Sequence, residues 1–247
     1  MCLFRSAILS CQNPCRMSFV VPAYNEAKLL GATLDAIRVA AAMTGESFEI
    51  IVVDDDSTDS TAAIAASRGA RVLPVQNRSI ARTRNDGARE ARGEYLFFVD
   101  ADTLIDQRVL RAALTRLHAG DAGGGAVFKW DNAHRGTGRF LELCVATLLR
   151  HMRLASGCFV YASRQAFEAV GGFDDSLFAA EEWALSRALA RRGPFRVLQE
   201  PVITSGRKLA ALRLRDVLMQ LLRAGVRGPR ALKEREFASM WYRDPPR

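Results

Sequence analysis

The stretch that most restricts this chain is Gly93-Glu94-Tyr95-Leu96-Phe97-Phe98-Val99-Asp100-Ala101-Asp102. Tyr95 to Val99 form an unbroken apolar, aromatic and β-branched run behind a glycine, the pattern of a strand covered on both faces of a sheet. The run stops abruptly at two carboxylates separated by one alanine. Side chains two apart on an extended segment share a side, so Asp100 and Asp102 are expected to emerge together from the carboxyl end of a buried strand. In open α/β sheets that edge binds ligands. Paired hard oxygens there suit a divalent cation, Mg²⁺ or Mn²⁺, which in turn suits a diphosphate. A plainer reading stands beside it, in which Asp100 only caps the following helix.

The flanking pattern alternates strands with helices. Ser18 to Val21 read as a strand closed by Pro22, which cannot donate to a ladder. A helix is predicted over Ala27 to Met43. Glu49 to Val53 form a second buried strand, ending in Asp54, Asp55 and Asp56. Ser57, Thr58 and Asp59 are helix-start residues, with that helix running to about Arg68. Residues 70 to 75 make a short strand, placed at an edge because Pro74 interrupts it. Helices follow over Ser79 to Arg92 and, beyond the key strand, Gln107 to Ala119. Past Gly120 the pattern loosens. Strands are predicted at Ala126 to Trp130, Cys158 to Ala162 and Phe195 to Leu198. Helices are expected at Phe140 to Arg153 (amphipathic, with Leu141, Cys144, Leu148 and Met152 on one stripe), Gln165 to Val170 and Glu181 to Arg192. Gly171 to Asp174 form a turn. Such alternation predicts one mostly parallel, Rossmann-like sheet flanked by helices.

Composition excludes several classes. With 247 residues, 49% hydrophobic and 25% charged, the chain is long enough for one sizeable α/β domain or at most two small ones. No apolar run approaches the ~18 residues of a membrane span. Five scattered cysteines (Cys2, Cys11, Cys15, Cys144 and Cys158) show no zinc spacing and suit a reducing, cytoplasmic setting. The net charge of +8 implies an anionic partner. Residues 1–16 differ from the rest and read as a disordered tail or a misassigned start, because their apolar patch is too short for a signal peptide.

The chemistry has three acidic clusters to work with. Two follow strands at the same sheet edge, and the third, Glu181-Glu182, opens a helix. There the carboxylates either complement the helix dipole or supply a general base near the cation. No G-x-G-x-x-G, no G-x-x-x-x-G-K-[ST] and no G-x-S-x-G occurs. Cys144 and Cys158, in apolar surroundings, read as inert thiols. The basic residues lack interleaved aromatics, so nucleic acid is not the expected partner. A nucleotidyltransferase would need a Gly-rich, Lys- or Arg-bearing loop after the first strand, which is missing.

Four motifs occur in order: VVPAYNE (20–26), VVDDDSTD (52–59), RNDGAREARGEYLFFVDAD (84–102) and GGFDDSLFAAEE (171–182). Together they resemble the inverting family 2 glycosyltransferases with a GT-A fold, over about residues 17–206. The resemblance implies a nucleotide-binding half, 17–103, and an acceptor half, 104–206. It implies that Pro22, Ala23, Tyr24 and Glu26 line the nucleotide pocket, with Asp54 and Asp55 near base and ribose. Asp102, with Asp100 alongside, would hold the cation that bridges the donor diphosphate, and Arg84 would face the same pocket. Glu182, with Glu181 beside it, would occupy the place of the base that activates an acceptor hydroxyl. The donor would be a UDP, GDP or TDP sugar. The acceptor stays open, a glycan or a lipid-linked molecule among the candidates, as does a non-catalytic relative that keeps the pocket. This chain departs from the family's pattern in having Glu181-Glu182 where Glu-Asp is usual and Asp56 where a glycine is usual. It also lacks the Q-x-x-R-W of processive synthases, which implies single-sugar transfer.

Residues 207–247 form a basic extension. From Gly206 to Arg235 there are nine Lys or Arg against two acidic residues, a net of +7. Leu209, Leu212, Leu218, Leu221 and Leu222 interleave with Arg213, Arg215 and Arg223 as an amphipathic helix. Its apolar face either packs on the domain or, over 207–235, lies on the anionic inner face of a membrane. Arg207 and Lys208, just past the last strand, are candidates for a clamp on the diphosphate.

Overall fold

The computed structural model describes residues 15–131, 147, 148, 150–178 and 180–207. Its strands are β1 (Met17–Ala23), β2 (Phe48–Asp55), β3 (Arg71–Val75), β4 (Tyr95–Val99), β5 (Thr103–Leu104), β6 (Gly123–Trp130), β7 (Phe159–Ser163) and β8 (Phe195–Thr204). The helices are α1 (Leu30–Ala42), α2 (Thr61–Ser67), α3 (Ile80–Glu90), α4 (Gln107–His118), α5 (Arg164–Ala169) and α6 (Glu181–Ala190). One sheet runs in the order β3-β2-β1-β4-β7-β6-β8-β5. β7 and β5 pair antiparallel with their neighbours, while β1 to β4 pair parallel among themselves and β6 pairs parallel with β8. The mostly parallel α/β sheet expected from the alternation is present, with β3 and its Pro74 at one edge.

The apolar runs work because their alternating side chains fill two cores. Phe19, Val21, Ile50, Val52, Phe97 and Val99 pack beneath α1 and α4 with Leu34, Ile37, Val109 and Leu110. Val20, Ile51, Val53, Leu96 and Phe98 face the other way, towards α3, α5 and α6, with Ala81, Ala88, Phe167 and Leu185. Every residue of β4 is buried, as a strand with helices on both faces requires. Gly87 lets α3 lie close on the sheet, since a Cβ there would come within 2.4 Å of Val20 Cγ1.

Several boundaries differ from the sequence reading. α1 starts at Leu30 rather than Ala27, because the Ala27 N–H donates to Asp59 Oδ2 and Asn25 sits in the left-handed region. α2 starts at Thr61 rather than at Ser57 to Asp59: the Ser57 and Thr58 side chains bond Asn25, and Asp59 Oδ1 accepts from the Thr61 N–H at 2.9 Å just ahead of the helix. β6 begins at Gly123, three residues before the predicted start. Its glycines are close-packed, a Cβ on Gly124 meeting Arg196 O at 2.0 Å and the Tyr161 hydroxyl at 2.3 Å. β8 continues past Leu198 to Thr204, and its pairing with β6 shifts between Ala126 and Phe128, taking up the stretch containing Pro201 as a bulge. Of the predicted helix 140–153, residues 147, 148 and 150–152 are described and helical, but Leu148 and Met152 are exposed rather than buried as a stripe. Cys144, residues 1–14 and residues 208–247, with Lys208 and the basic amphipathic stretch, lie outside the described residues. Among the described residues, no helix is long and apolar enough to cross a membrane.

Candidate active site

β2, β1 and β4 are adjacent and parallel, so the loops after them meet at one edge of the sheet. The loop after β1 is tied to the loop after β2. Asn25 Oδ1 accepts from the Thr58 N–H at 2.8 Å, Ser57 Oγ accepts from the Asn25 N–H at 3.0 Å, and Thr61 Oγ1 accepts from the Glu26 N–H at 2.9 Å. Pro22 and Tyr24 are half-buried in this rim and Ala23 is buried. The Arg78 guanidinium lies 4.4 Å from the centre of the Tyr24 ring.

Asp54 and Asp55 end β2, and both are buried. Strand alternation sends them opposite ways. Asp55 is spent on the protein, its Oδ1 accepting from the N–H groups of Asn77 at 2.6 Å and Arg78 at 3.0 Å, and Oδ2 from Thr83 at 3.3 Å. Asp54 Oδ1 is buried with no hydrogen-bond partner among the described residues. A buried acceptor left unmatched is costly, and a ligand donor is one way to satisfy it.

Asp100 and Asp102 are not related by strand alternation, because β4 ends at Val99 and the Thr103 N–H closes a turn on Asp100 O at 3.0 Å. Asp100 faces Arg84, with Oδ1 to Nη2 at 2.8 Å. Asp102 faces β8 instead. Thr204 Oγ1 lies 3.5 Å from its Oδ1, and Arg207 Nη2 lies 3.7 Å from its Oδ2. The two-residue β5, pairing Thr103 with Thr204, creates this meeting, and nothing in so short a segment announces a strand. Arg207 Nη2 also donates to Glu26 Oε2.

Arg84 is the hub. Its side chain is 2% exposed, yet it touches three groups on three segments: Asp100, Gly157 O at 2.7 Å, and Glu181 Oε1 through Nη1 at 3.1 Å. The Phe173 ring lies 5.2 Å from the guanidinium carbon. A buried arginine with two carboxylates stays charged, and the carboxylates hold its pKa above the ordinary value against the opposing effect of burial. Glu182 is the less buried of the acidic pair, and a Cβ on Gly157 would sit 3.4 Å from its Oε1, so its carboxyl group lies over the Gly157 backbone. Burial first, then the charge of Glu181, push the Glu182 carboxyl up to about 8, with Arg84 opposing. Ala180, which precedes this pair, has φ +59. Cys158 is a buried, free thiol that burial raises to about 12, so it offers no nucleophile.

The family model for glycosyl transferase family 2 matches residues 18–171, more than half of the chain. The chain belongs to this family. Among curated relatives, the poly(ribitol-phosphate) beta-glucosyltransferase of Bacillus spizizenii is 36% identical over 102 residues, 38% of this chain and 16% of the relative. The glucosyl-3-phosphoglycerate synthase of Mycolicibacterium paratuberculosis is 28% identical over 72% of this chain and 55% of its own length. The match thus spans less than two thirds of either. The mannosyltransferase PcManGT from Pyrobaculum calidifontis, solved with GDP-Man and Mn2+, shares the fold with TM-score 0.64 at 22% identity, covering 92% of this chain and 71% of that one. The architecture is that of the GT-A glycosyltransferases.

Within the family frame, the departure at Asp56 has a local explanation. The residue has φ +63, where glycine is at ease and Asp is among the better-tolerated alternatives, and its carboxylate pairs with Arg78 at 2.9 Å. Sequence reasoning missed Asn85. Its amide donates to Phe173 O at 2.9 Å and Asp175 at 2.7 Å while its Oδ1 accepts from the Phe173 N–H at 2.9 Å. That clamps the Gly171–Asp175 turn onto α3, next to Arg84. Its adjacency to Arg84 in a shared motif was the available signal.

Proposed function

We propose that the chain transfers a single sugar from a nucleoside-diphosphate sugar to an acceptor hydroxyl with inversion, Glu182 acting as base. The observation that carries this reading is the Arg84 bridge. One buried guanidinium joins Asp100, on the donor side, to Glu181, beside the base. On this reading Tyr24, Asp54 and Arg78 receive the nucleoside, the free Asp54 oxygen accepting a hydrogen bond from it. Glu181 and Arg84 are positioning residues, and Glu182 is the catalytic one. Glu182 takes the proton of the acceptor hydroxyl as its oxygen bonds to the anomeric carbon. The bond from that carbon to the diphosphate oxygen breaks on the opposite face, and the nucleoside diphosphate leaves with the electron pair. A carboxyl group raised towards neutrality is a stronger base once ionised.

The donor set suits a divalent cation by its chemistry, with Asp102 and Asp100 held on different partners in this arrangement. Asp100 and Asp102 supply hard oxygens, and among the described residues no group of three or more His, Cys, Asp or Glu gathers to hold an ion alone. Mg²⁺ or Mn²⁺ commonly binds by one or two carboxylates and takes further ligands from phosphates and water. When bound, the ion would supply positive charge to the departing diphosphate. That the mannosyltransferase above was solved with GDP-Man and Mn2+ supports a sugar nucleotide and a cation as a class. The acceptor is a hydroxyl-bearing molecule, a glycan or a lipid-linked one.

Calorimetry with UDP, GDP and TDP, each with and without Mn²⁺, tests the donor side. Manganese-dependent binding of one of them is the expected result. A folded chain that binds none of the three overturns the reading.

A further inference from the structure

Arg207 is the first residue but two after β8, and it brings a cation to carboxylates on two other loops. Its Nη2 donates to Glu26 Oε2 and lies 3.7 Å from Asp102 Oδ2. Glu26 is 6% exposed and the Asp102 side chain 9%. Two carboxylates withdrawn from water are costly unless a cation sits with them. Arg207 is held there by its tether. The Ser205 N–H donates to Asp102 O at 3.2 Å, and the Gly206 N–H donates to Asp131 Oδ1 at 2.9 Å. The guanidinium has capacity in reserve, because its Nε is buried without a hydrogen-bond partner among the described residues.

We infer that Arg207 is an exchangeable counter-ion of the donor site. It holds Glu26 and Asp102 before loading, yields Asp102 to the divalent cation, and turns its fork to the diphosphate. This rests on the donor reading above. The reason is charge. A divalent cation and a guanidinium within ~4 Å of one carboxylate repel each other strongly in a partly buried site. The cation therefore competes with Arg207 for Asp102. A diphosphate reverses the balance by offering oxygens that suit a bidentate guanidinium. Arg84 differs in this respect, because its partners lie within the protein on three segments and its side chain is only 2% exposed against 23% for Arg207.

The inference makes two affinities move in opposite directions. Mn²⁺ binding alone, followed by electron paramagnetic resonance of the free ion, should tighten about fivefold in Arg207→Ala. Binding of the preferred nucleoside diphosphate at saturating Mn²⁺, by calorimetry, should weaken about tenfold, the scale of a lost charge-assisted pair. Arg207→Lys keeps the charge without the fork, so its Mn²⁺ affinity should stay near wild type while nucleotide binding weakens. If Arg207→Ala does not fold, judged by circular dichroism and melting, Arg207→Lys carries the test. In Arg207→Ala, affinities that both move the same way, or do not move, overturn the exchange; in Arg207→Lys, an unchanged nucleoside diphosphate affinity overturns it. A wild-type chain that binds Mn²⁺ but no nucleoside diphosphate instead overturns the donor reading, and the exchange falls with it.

Discussion

Two pairs of neighbouring carboxylates, Asp54-Asp55 and Glu181-Glu182, look alike as text and are divided in the same way by different means. On β2 the strand pleat turns Asp55 towards the Asn77–Thr83 loop and helix, where it accepts three hydrogen bonds, and leaves Asp54 with a buried unmatched oxygen. On the first turn of α6 the helical rotation of about 100° per residue gives Glu181 to Arg84 and sets Glu182 over Gly157. In each pair one carboxylate is built into the protein and its neighbour is presented. The separation comes from secondary structure.

Breaking the second pair should have the largest effect. Glu182→Gln is expected to lower kcat by about 10²–10⁴-fold, the usual contribution of a general base, with nucleotide affinity kept. Full transfer by that variant, measured as released nucleoside diphosphate, would sink the assignment. The next largest effect is at the hub. Arg84→Ala leaves Asp100 and Glu181 facing each other without their cation and should cost about 3–5 kcal/mol of stability in chemical denaturation. Arg84→Lys should not restore it, because a single ammonium cannot span three segments.

The first pair gives a smaller and cleaner separation. Asp55→Ala strands two backbone N–H groups and should cost about 1–3 kcal/mol with little direct effect on the ligand. Asp54→Asn should leave stability nearly unchanged and weaken nucleoside diphosphate binding. Equal effects of the two variants on stability and binding would erase the contrast.

The pH response sharpens it further. The raised carboxyl of Glu182 means that the folded chain binds more protons than the unfolded one between the ordinary value of 4.5 and about 8. Its contribution to stability therefore falls as pH rises through that window, while on the proposed base role transfer rises as the ionised form accumulates. Glu182→Gln should remove its share of the stability slope, measured as the midpoint of urea unfolding from pH 5 to 9. The smallest effect lies at Ala180, whose left-handed backbone presents the acidic pair. Ala180→Val should lose about 1–2 kcal/mol through strain, and Ala180→Gly should not.

Much of the fold was legible because burial on both faces leaves a local mark. The runs at 18–21, 49–53 and 95–99 needed no partner to be read as core strands of a parallel sheet. The second half was harder. Three consecutive glycines look like a loop until a neighbouring carbonyl and a tyrosine hydroxyl are seen pressed against Gly124. The last strand, predicted to end at Leu198, runs on to Thr204 because a bulge accommodates the stretch with Pro201. The two-residue β5 has no signature at all, yet it sets Asp102 against Thr204 and Arg207.

The sequence by itself determined the family, through the order of its motifs, and the strand ends on which carboxylates would stand, through periodicity. Both are local along the chain. Only the tertiary structure decided which carboxylates are spent and which are presented. It turned Asp100 and Asp102 to different partners through a turn, and it joined Arg84 to Glu181 across 97 positions. Such pairings depend on where the sheet brings distant loops together, and charge interactions act through that distance in space rather than along the chain.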